Sequence, residues 1–165
     1  MRISGTGIWF VGLMGLVVAA DQATKAWIMA TFRLYEQLEV IPGFFNLTYV
    51  TNTGAAFGLL AGENNLGRRL FFIGVALLAL LVIVFAYRHL RQQGTIFVVA
   101  AALIGGGALG NLIDRLRFGA VVDFLDFYLG SHHWPAFNVA DSAITVGVGL
   151  FLLASIRPGK AGTED

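Results

Sequence analysis

The chain contains no cysteine among its 165 residues. This absence excludes a thiol nucleophile, a disulfide framework and a thiolate metal site. Charge is scarce as well: only 13% of the residues are charged, the formal net charge is +1, and no long run has one sign. A nucleic-acid partner is therefore not expected. Any chemistry must rest on oxygen and nitrogen groups.

Hydrophobic residues, by contrast, are abundant. They make up 57% of the chain, and the mean hydropathy is +0.75, which is too apolar for a soluble domain of ordinary size. A membrane core about 30 Å thick needs about 20 helical residues per crossing. Four stretches approach that length, at about 8–28, 68–87, 95–114 and 138–156. We predict an all-α membrane protein with four transmembrane helices, in which residues 1–165 form one domain.

The first apolar stretch has an alternative interpretation as a cleaved secretory signal. Arg2 precedes it, and it ends in Val18-Ala-Ala20, a small-residue pattern that peptidases cut. The sequence that follows keeps helical spacing, with Asp21 and Lys25 one turn apart and Trp27 suited to a membrane interface. These residues favour a retained helix.

Acidic residues are distributed unequally along the predicted topology. Four crossings put both termini and the short link 88–94 on one side, and the larger links 29–67 and 115–137 on the other. Basic residues divide five to six and do not decide the orientation. Eight of the ten acids lie in the larger links or at adjoining helix ends: Asp21, Glu36, Glu39, Glu63, Asp114, Asp123, Asp126 and Asp141. A reaction centre is expected on that side.

The link between the first two helices predicts short strands. Val40–Val50 carries aromatic and β-branched residues around a Pro-Gly turn, so we expect a small extramembrane sheet, with strands and loop over about 32–66. Small residues follow from Asn52, and their backbone can approach a ligand closely, although a surface loop explains them equally well. We also expect a lid motion of 52–67 and a disordered tail at 158–165.

Several of the acidic residues have purely structural explanations. Asn138 can cap the fourth helix, which places Asp141 three residues later, where a helix start favours a carboxylate. Asp114 has Arg115 beside it and Asn111 one turn back, an arrangement typical of an ion-paired or hydrogen-bonded helix end.

Asp123 differs because it has no basic neighbour nearer than Arg117, and Asp126 could be a solvated companion. Two carboxylates in a poorly solvated site share one proton, which leaves one acid and one base near neutral pH. Such a pair can activate water for peptide hydrolysis. Spacing alone does not choose the pair among Asp114, Asp123, Asp126 and Asp141.

Other enzyme classes fit less well. A triad of Ser142, a histidine and an aspartate lacks the nucleophile-elbow sequence, and no His-Glu-x-x-His motif for zinc is present. His132 and His133 with Asp126 could bind a metal, but adjacent histidines seldom face one ion, so we assign them no site.

A small transporter or channel remains as a non-enzyme alternative. It would need charge at mid-depth, whereas the middles of the second to fourth segments contain no Asp, Glu, Lys or Arg.

Five motifs together resemble the bacterial lipoprotein signal peptidase family (signal peptidase II). They occur in the family's order and lie on the first, third and fourth helices and in both large links. The motifs are Asp21-Gln-Ala-Thr-Lys25, Asn52-Thr-Gly-Ala-Ala-Phe57, Gly110-Asn-Leu-Ile-Asp-Arg115, Val121-Val-Asp-Phe124 and Phe137-Asn-Val-Ala-Asp141.

The resemblance implies that Asp123 and Asp141 are the catalytic dyad of an aspartyl endopeptidase. The substrate would be a prolipoprotein with diacylglyceryl on its cysteine, cut on the amino side of that cysteine. No cofactor or metal is implied, and the partners would be substrate and membrane lipids, with the enzyme a monomer. The site would face the periplasm from the bacterial inner membrane, with both termini cytoplasmic. Residues implied to bind substrate or support the site are Asp21, Lys25, Asn52, Gly54, Asn111, Asp114, Arg115, Asn138 and Ala140.

Overall fold

The computed structural model describes residues 5–54 and 65–156. Four helices within these ranges are long and apolar enough to cross a membrane, which confirms the predicted all-α membrane fold. The predicted tail at 158–165 and most of the predicted lid, residues 55–64, lie outside the described residues. The helices are α1 (Gly5–Thr31), α2 (Leu66–Gln93), α3 (Thr95–Phe118) and α4 (Val139–Ile156); the strands are β1 (Gln37–Ile41), β2 (Phe45–Asn52), β3 (Val121–Leu129) and β4 (His132–His133).

Two helix ends differ from their predicted positions. The predicted link 88–94 is almost entirely helical, because α2 continues to Gln93 and only Gly94 separates it from α3. Similarly, α3 runs to Phe118 and ends at Gly119, whose left-handed backbone lets its N–H donate to the Arg115 carbonyl at 3.1 Å. Both extensions contain arginine, leucine or glutamine, which are good helix formers. Asp114 and Arg115 therefore lie inside α3.

Helix α3 is the central element of the bundle and packs against the other three helices. Small residues line its buried surface, which lets the backbones approach closely. The tightest approaches include Gly147 of α4: a Cβ there would lie 2.7 Å from Ile104 Cγ1 and 2.8 Å from the Ala100 carbonyl oxygen of α3. The close packing of α4 against α3 thus requires a glycine at position 147.

Gly147→Ala should destabilise the fold by about 1–3 kcal/mol, because the new methyl meets backbone that cannot move independently of the helix. Gly149→Ala is the matched control two residues along α4, where a Cβ would have no heavy atom within 4 Å. It should be neutral, or stabilise by up to about 1 kcal/mol through helix propensity. Thermal unfolding in detergent measures both, and equal melting temperatures would contradict this packing.

The four strands form one antiparallel sheet in the order β1-β2-β3-β4. The β1–β2 hairpin supplies the expected strands between α1 and α2. Sequence reading missed β3 and β4, which come from the link between α3 and α4. Val121–Leu129 is rich in β-branched and aromatic residues, but its two aspartates concealed the strand, since Asp is depleted in sheets. Pairing of Val50 with Asp123 brings the links together.

An apolar cluster fixes the sheet onto the bundle. Ile28 and Phe32 at the end of α1 pack against Val122 and Phe124 of β3, and all four side chains are buried. Because neighbouring residues of a strand point to opposite faces, this packing directs Asp123 away from the apolar cluster and toward the helix ends.

Candidate active site

Asp123 lies on β3 and is only 1% exposed. Its carboxylate accepts two amide hydrogen bonds, from Asn138 Nδ2 at 2.7 Å and from Asn52 Nδ2 at 3.1 Å. Asn52 is oriented in turn, because its Oδ1 accepts the Gly54 N–H at 2.8 Å. The two amides hold the Asp123 carboxylate in one direction.

Asp141 lies in the first turn of α4. The predicted helix start is confirmed: Asn138 Oδ1 accepts the Asp141 N–H at 2.9 Å, as an N-cap does. The Asp141 carboxylate accepts Asn111 Nδ2 at 2.8 Å, and unsatisfied N–H groups at the start of α4 stabilise a negative charge there.

The two carboxylates are connected through a pair of asparagines. Asn138 Nδ2, which contacts Asp123, also lies 3.3 Å from Asn111 Oδ1 and 3.2 Å from the Val122 carbonyl oxygen. Asn111 then presents its own amide nitrogen to Asp141. A displacement of either asparagine would change the geometry of both aspartates.

Burial and the nearby charge of Asp141 raise the pKa of Asp123 to about 7. The amides of Asn52 and Asn138 and the charge of Lys25 oppose this rise but do not cancel it. A carboxyl group with its pKa near 7 can carry a proton at neutral pH, which suits Asp123 to the role of an acid.

Lys25 lies at the centre of a buried charge network beside this pair. Its Nζ is 2.9 Å from Asp21 and 2.8 Å from Asp114, and it donates to Asn111 Oδ1 at 3.1 Å. Asp21 and Lys25, one turn apart as their helical spacing predicts, thus form an ion pair. Of the two alternatives for Asp114, the hydrogen-bonded one holds, since Gln22 donates to it. Its ion pair is with Lys25 of α1 and not with Arg115, because adjacent helical residues point apart.

The two acids of this network also bind backbone groups near the site. Asp21 Oδ1 accepts the Ala140 N–H at 2.9 Å, and Asp114 Oδ2 accepts the Val122 N–H at 3.1 Å. These bonds hold the start of α4 and the start of β3. Sequence reasoning missed Gln22, which donates to Asp114 at 2.9 Å and to the Gly110 carbonyl at 3.2 Å.

Arg115 approaches the site from a third direction. Its guanidinium donates to the Gly54 carbonyl at 2.7 Å and lies over the Phe72 ring, 5.1 Å from the centroid. Together with the Gly54–Asn52 bond, this contact fixes the end of β2. The structure thus brings all the candidate site residues together around Asp123 and Asp141: Asp21, Lys25, Asn52, Gly54, Asn111, Asp114, Arg115, Asn138 and Ala140.

Asp126 does not belong to this group, and its interpretation as a solvated companion of Asp123 was wrong. Residues three apart on a strand face opposite ways, and Asp126 is 4% exposed on the other face of β3. It accepts Asn46 Nδ2 at 2.9 Å and His133 Nδ1 at 2.9 Å. Within residues 5–54 and 65–156 no three His, Asp or Glu side chains are placed to share a metal ion.

Asp141 and Ile144 line two different cavities. One, of about 250 Å³, is also lined by Asn52, Phe72 and Arg115. The other, of about 330 Å³, lies beneath Trp134 and Phe137. An apolar groove of about 550 Å³ among α2, α3 and α4 shares Val75, Ala79 and Ile104 with the first cavity. The groove and the first cavity together form a path along the helices to Asp141.

Comparison with known proteins identifies the family of the chain. Residues 13–157 match the family model described as signal peptidase (SPase) II. The lipoprotein signal peptidase of Desulforapulum autotrophicum is 53% identical over 83% of this chain and 85% of its own. That of Syntrophus aciditrophicus is 51% identical over 90% and 92%. A solved bacterial membrane enzyme superposes with a TM-score of 0.80 at 35% identity, covering 94% of this chain and 92% of the other. The chain belongs to the signal peptidase II family.

Proposed function

We propose that this protein is an aspartyl endopeptidase that removes the signal peptide of diacylglyceryl-modified prolipoproteins, cutting on the amino side of the lipidated cysteine. The observation that carries the proposal is the coupled pair of Asp123 and Asp141, with the pKa of Asp123 at about 7. The names of the relatives, lipoprotein signal peptidases, support the substrate class.

In the proposed mechanism Asp141 begins ionised, since the start of α4 and the Asn111 amide stabilise its charge, and Asp123 begins protonated. Asp141 takes a proton from water while the water oxygen attacks the scissile carbonyl. Asp123 donates its proton to the developing oxyanion. When the tetrahedral intermediate collapses, the C–N bond breaks, the amine receives the proton held by Asp141, and Asp123 recovers its own.

In this proposal the surrounding residues orient the carboxylates of Asp123 and Asp141. Asn52, Asn111 and Asn138 fix the carboxylate oxygens, so little reorganisation is needed during the reaction. Lys25 with Asp21 and Asp114 holds Asn111 and the start of α4. Arg115 holds Gly54 and thereby Asn52.

The apolar groove supports the proposal that the substrate approaches the site through the bilayer. A signal-peptide helix or acyl chain lying along α2 and α4 would place the scissile bond near Asp141, at the end of the bundle that carries the sheet. We place this end at the periplasmic face of the bacterial inner membrane, with both termini cytoplasmic. Most acids lie there, where carboxylates at helix ends can still obtain water. The proposed unit is a single monomeric domain in contact with membrane lipids.

Purified protein in detergent or lipid should cleave a diacylglyceryl-prolipoprotein and leave the same precursor without diacylglyceryl largely uncut. The lipid adds apolar area for the groove at about 25 cal/mol per Å² buried. Equal cleavage of both precursors would contradict lipid recognition, and cleavage of neither would contradict the activity and favour a transporter.

The single-turnover rate should fall as pH rises through about 7. The pKa of Asp123 is raised from 3.8 to about 7, so Asp123 retains its proton below that pH and loses it above. The rate should then decline about tenfold per pH unit on the alkaline side. Rates with enzyme in excess, measured from pH 5.5 to 9, test this. An alkaline limb that stays flat to pH 9 would contradict Asp123 as the acid.

A further inference from the structure

Asp126 is a buried carboxylate that the proposed mechanism does not use. It belongs to a polar cluster that crosses all four strands on the face of the sheet opposite Asp123. Glu39 of β1 pairs with Asn46 of β2, and Asn46 pairs with Asp126 of β3. Asn46 Nδ2 donates to Asp126 Oδ2 at 2.9 Å, and both side chains are buried.

His133 of β4 completes the cluster. Its Nδ1 lies 2.9 Å and 3.1 Å from the two oxygens of Asp126, so it donates to the carboxylate. Its ring stacks on Tyr128, with centroids 4.9 Å apart and an interplanar angle of 10°. Tyr128 in turn donates to Glu39 and accepts the Gly43 N–H at 3.0 Å, which ties the β1–β2 turn to the same group.

His133 also belongs to the segment of residues 130–138 that joins β3 to α4, here called the connector. The connector runs back along β3, with the Trp134 N–H donating to the Phe127 carbonyl at 2.7 Å and the Phe137 N–H to Leu125 at 3.1 Å. It ends at Asn138, whose amide contacts Asp123 and whose Oδ1 caps the turn that bears Asp141. A shift of the connector would therefore displace both the amide that contacts the Asp123 carboxylate and the cap that accepts the Asp141 backbone N–H.

We propose that Asp126 and His133 form a positioning pair that fixes the connector on the sheet, so that Asn138 holds Asp123 and Asp141 at their productive separation. The pair acts through Asn138 and touches neither water nor substrate in the reaction. A buried carboxylate that loses one of its donors becomes poorly compensated and the surrounding structure shifts. Without the His133 imidazole, Asp126 would keep only the Asn46 amide, and the β4 part of the connector would lose the hydrogen bond from His133 to Asp126 of β3. This inference rests on the proposed hydrolysis.

Two substitutions of His133 separate the hydrogen bond from the stacking. His133→Asn keeps a donor near the position of Nδ1 and loses the ring, whereas His133→Phe keeps a ring on Tyr128 and loses the donor. The single-turnover rate constant with enzyme in excess should fall at least about tenfold in His133→Phe and stay within about threefold in His133→Asn, with half-saturating concentrations unchanged in both. Asp126→Ala, which removes the acceptor altogether, should lose rate like His133→Phe, and the double variant of Asp126→Ala and His133→Phe should be no slower than the slower single variant, because the two groups act as one unit.

Hydrogen exchange gives a readout that does not require activity. The amides of Trp134, Phe137 and Asp141 should exchange faster in His133→Phe than in wild type, and His133→Asn should restore their protection. Wild-type rate and protection in a folded His133→Phe, or equal losses in both variants, would overturn the positioning pair. If wild type fails to cut while the exchange pattern follows expectation, the proposed function fails and the mechanical link stands.

Discussion

Asp123→Asn and Asp141→Asn should each lower the single-turnover rate of prolipoprotein cleavage by at least about 10²- to 10⁴-fold, the usual contribution of a positioned acid or base. Neither amide can hold or accept the shared proton. The variants should remain folded, because each new side chain keeps an oxygen for one of the existing amide donors. Rapid-quench cleavage with enzyme in excess measures the rate, and thermal unfolding verifies the fold.

The control for this experiment is Glu36→Gln. Glu36 is an exposed carboxylate near the sheet whose contact is with the Arg33 N–H, and the amide retains that acceptor. Its rate should equal that of wild type. Asp126→Asn is unsuitable as a control, since Asp126 is buried and bonded to Asn46 and His133. If either dyad variant keeps a near-wild-type rate while folded, that residue does not belong to the catalytic pair.

Lys25→Met should produce the largest loss of stability. Lys25 is 1% exposed between Asp21 and Asp114, which are equally buried. Removing one member of a buried ion pair leaves uncompensated charge and costs about 3–5 kcal/mol. Two buried carboxylates would remain without their cation. Each accepts a backbone N–H beside the site, Asp21 from Ala140 and Asp114 from Val122, so their displacement would also disturb the site. Chemical or thermal unfolding in detergent gives the change in free energy.

Two further variants make this prediction specific. Arg33→Met removes one positive charge from an exposed position just beyond α1 and should change stability by less than about 0.5 kcal/mol. The triple variant Asp21→Asn, Lys25→Met, Asp114→Asn should recover much of the loss, because neutral replacement of a buried ionic group is often tolerated. A triple variant no more stable than Lys25→Met alone would indicate that packing of the lysine stem, rather than unpaired charge, dominates.

Local patterns predicted the parts of the fold that depend on local physics. Hydropathy identified the four helices, and Asn138 identified the start of α4 together with the position of Asp141. The turn at Pro42-Gly43 identified the β1–β2 hairpin. Each of these signals lies within a few residues of the feature that it specifies.

Features that depend on contacts between distant segments could not be read this way. Lys25 pairs with Asp114 because α1 and α3 pack together, and no spacing in the chain encodes that pair. The burial of Asp126 follows from the register of β3 on β2, whereas its local sequence indicated solvent exposure. The choice of Asp123 and Asp141 came from family resemblance. The pKa of Asp123, raised by burial and by the charge of Asp141, supplies a physical reason for that choice.

The most direct test of the proposed activity is the mass of the products after a single turnover on a diacylglyceryl-prolipoprotein. We predict a released signal peptide that ends, with a free carboxylate, at the residue before the lipidated cysteine, a mature fragment that begins with that cysteine, and an enzyme whose intact mass never changes during the reaction. A cut at any other bond, a covalent acyl-enzyme in the time course, or an intact precursor would contradict the account.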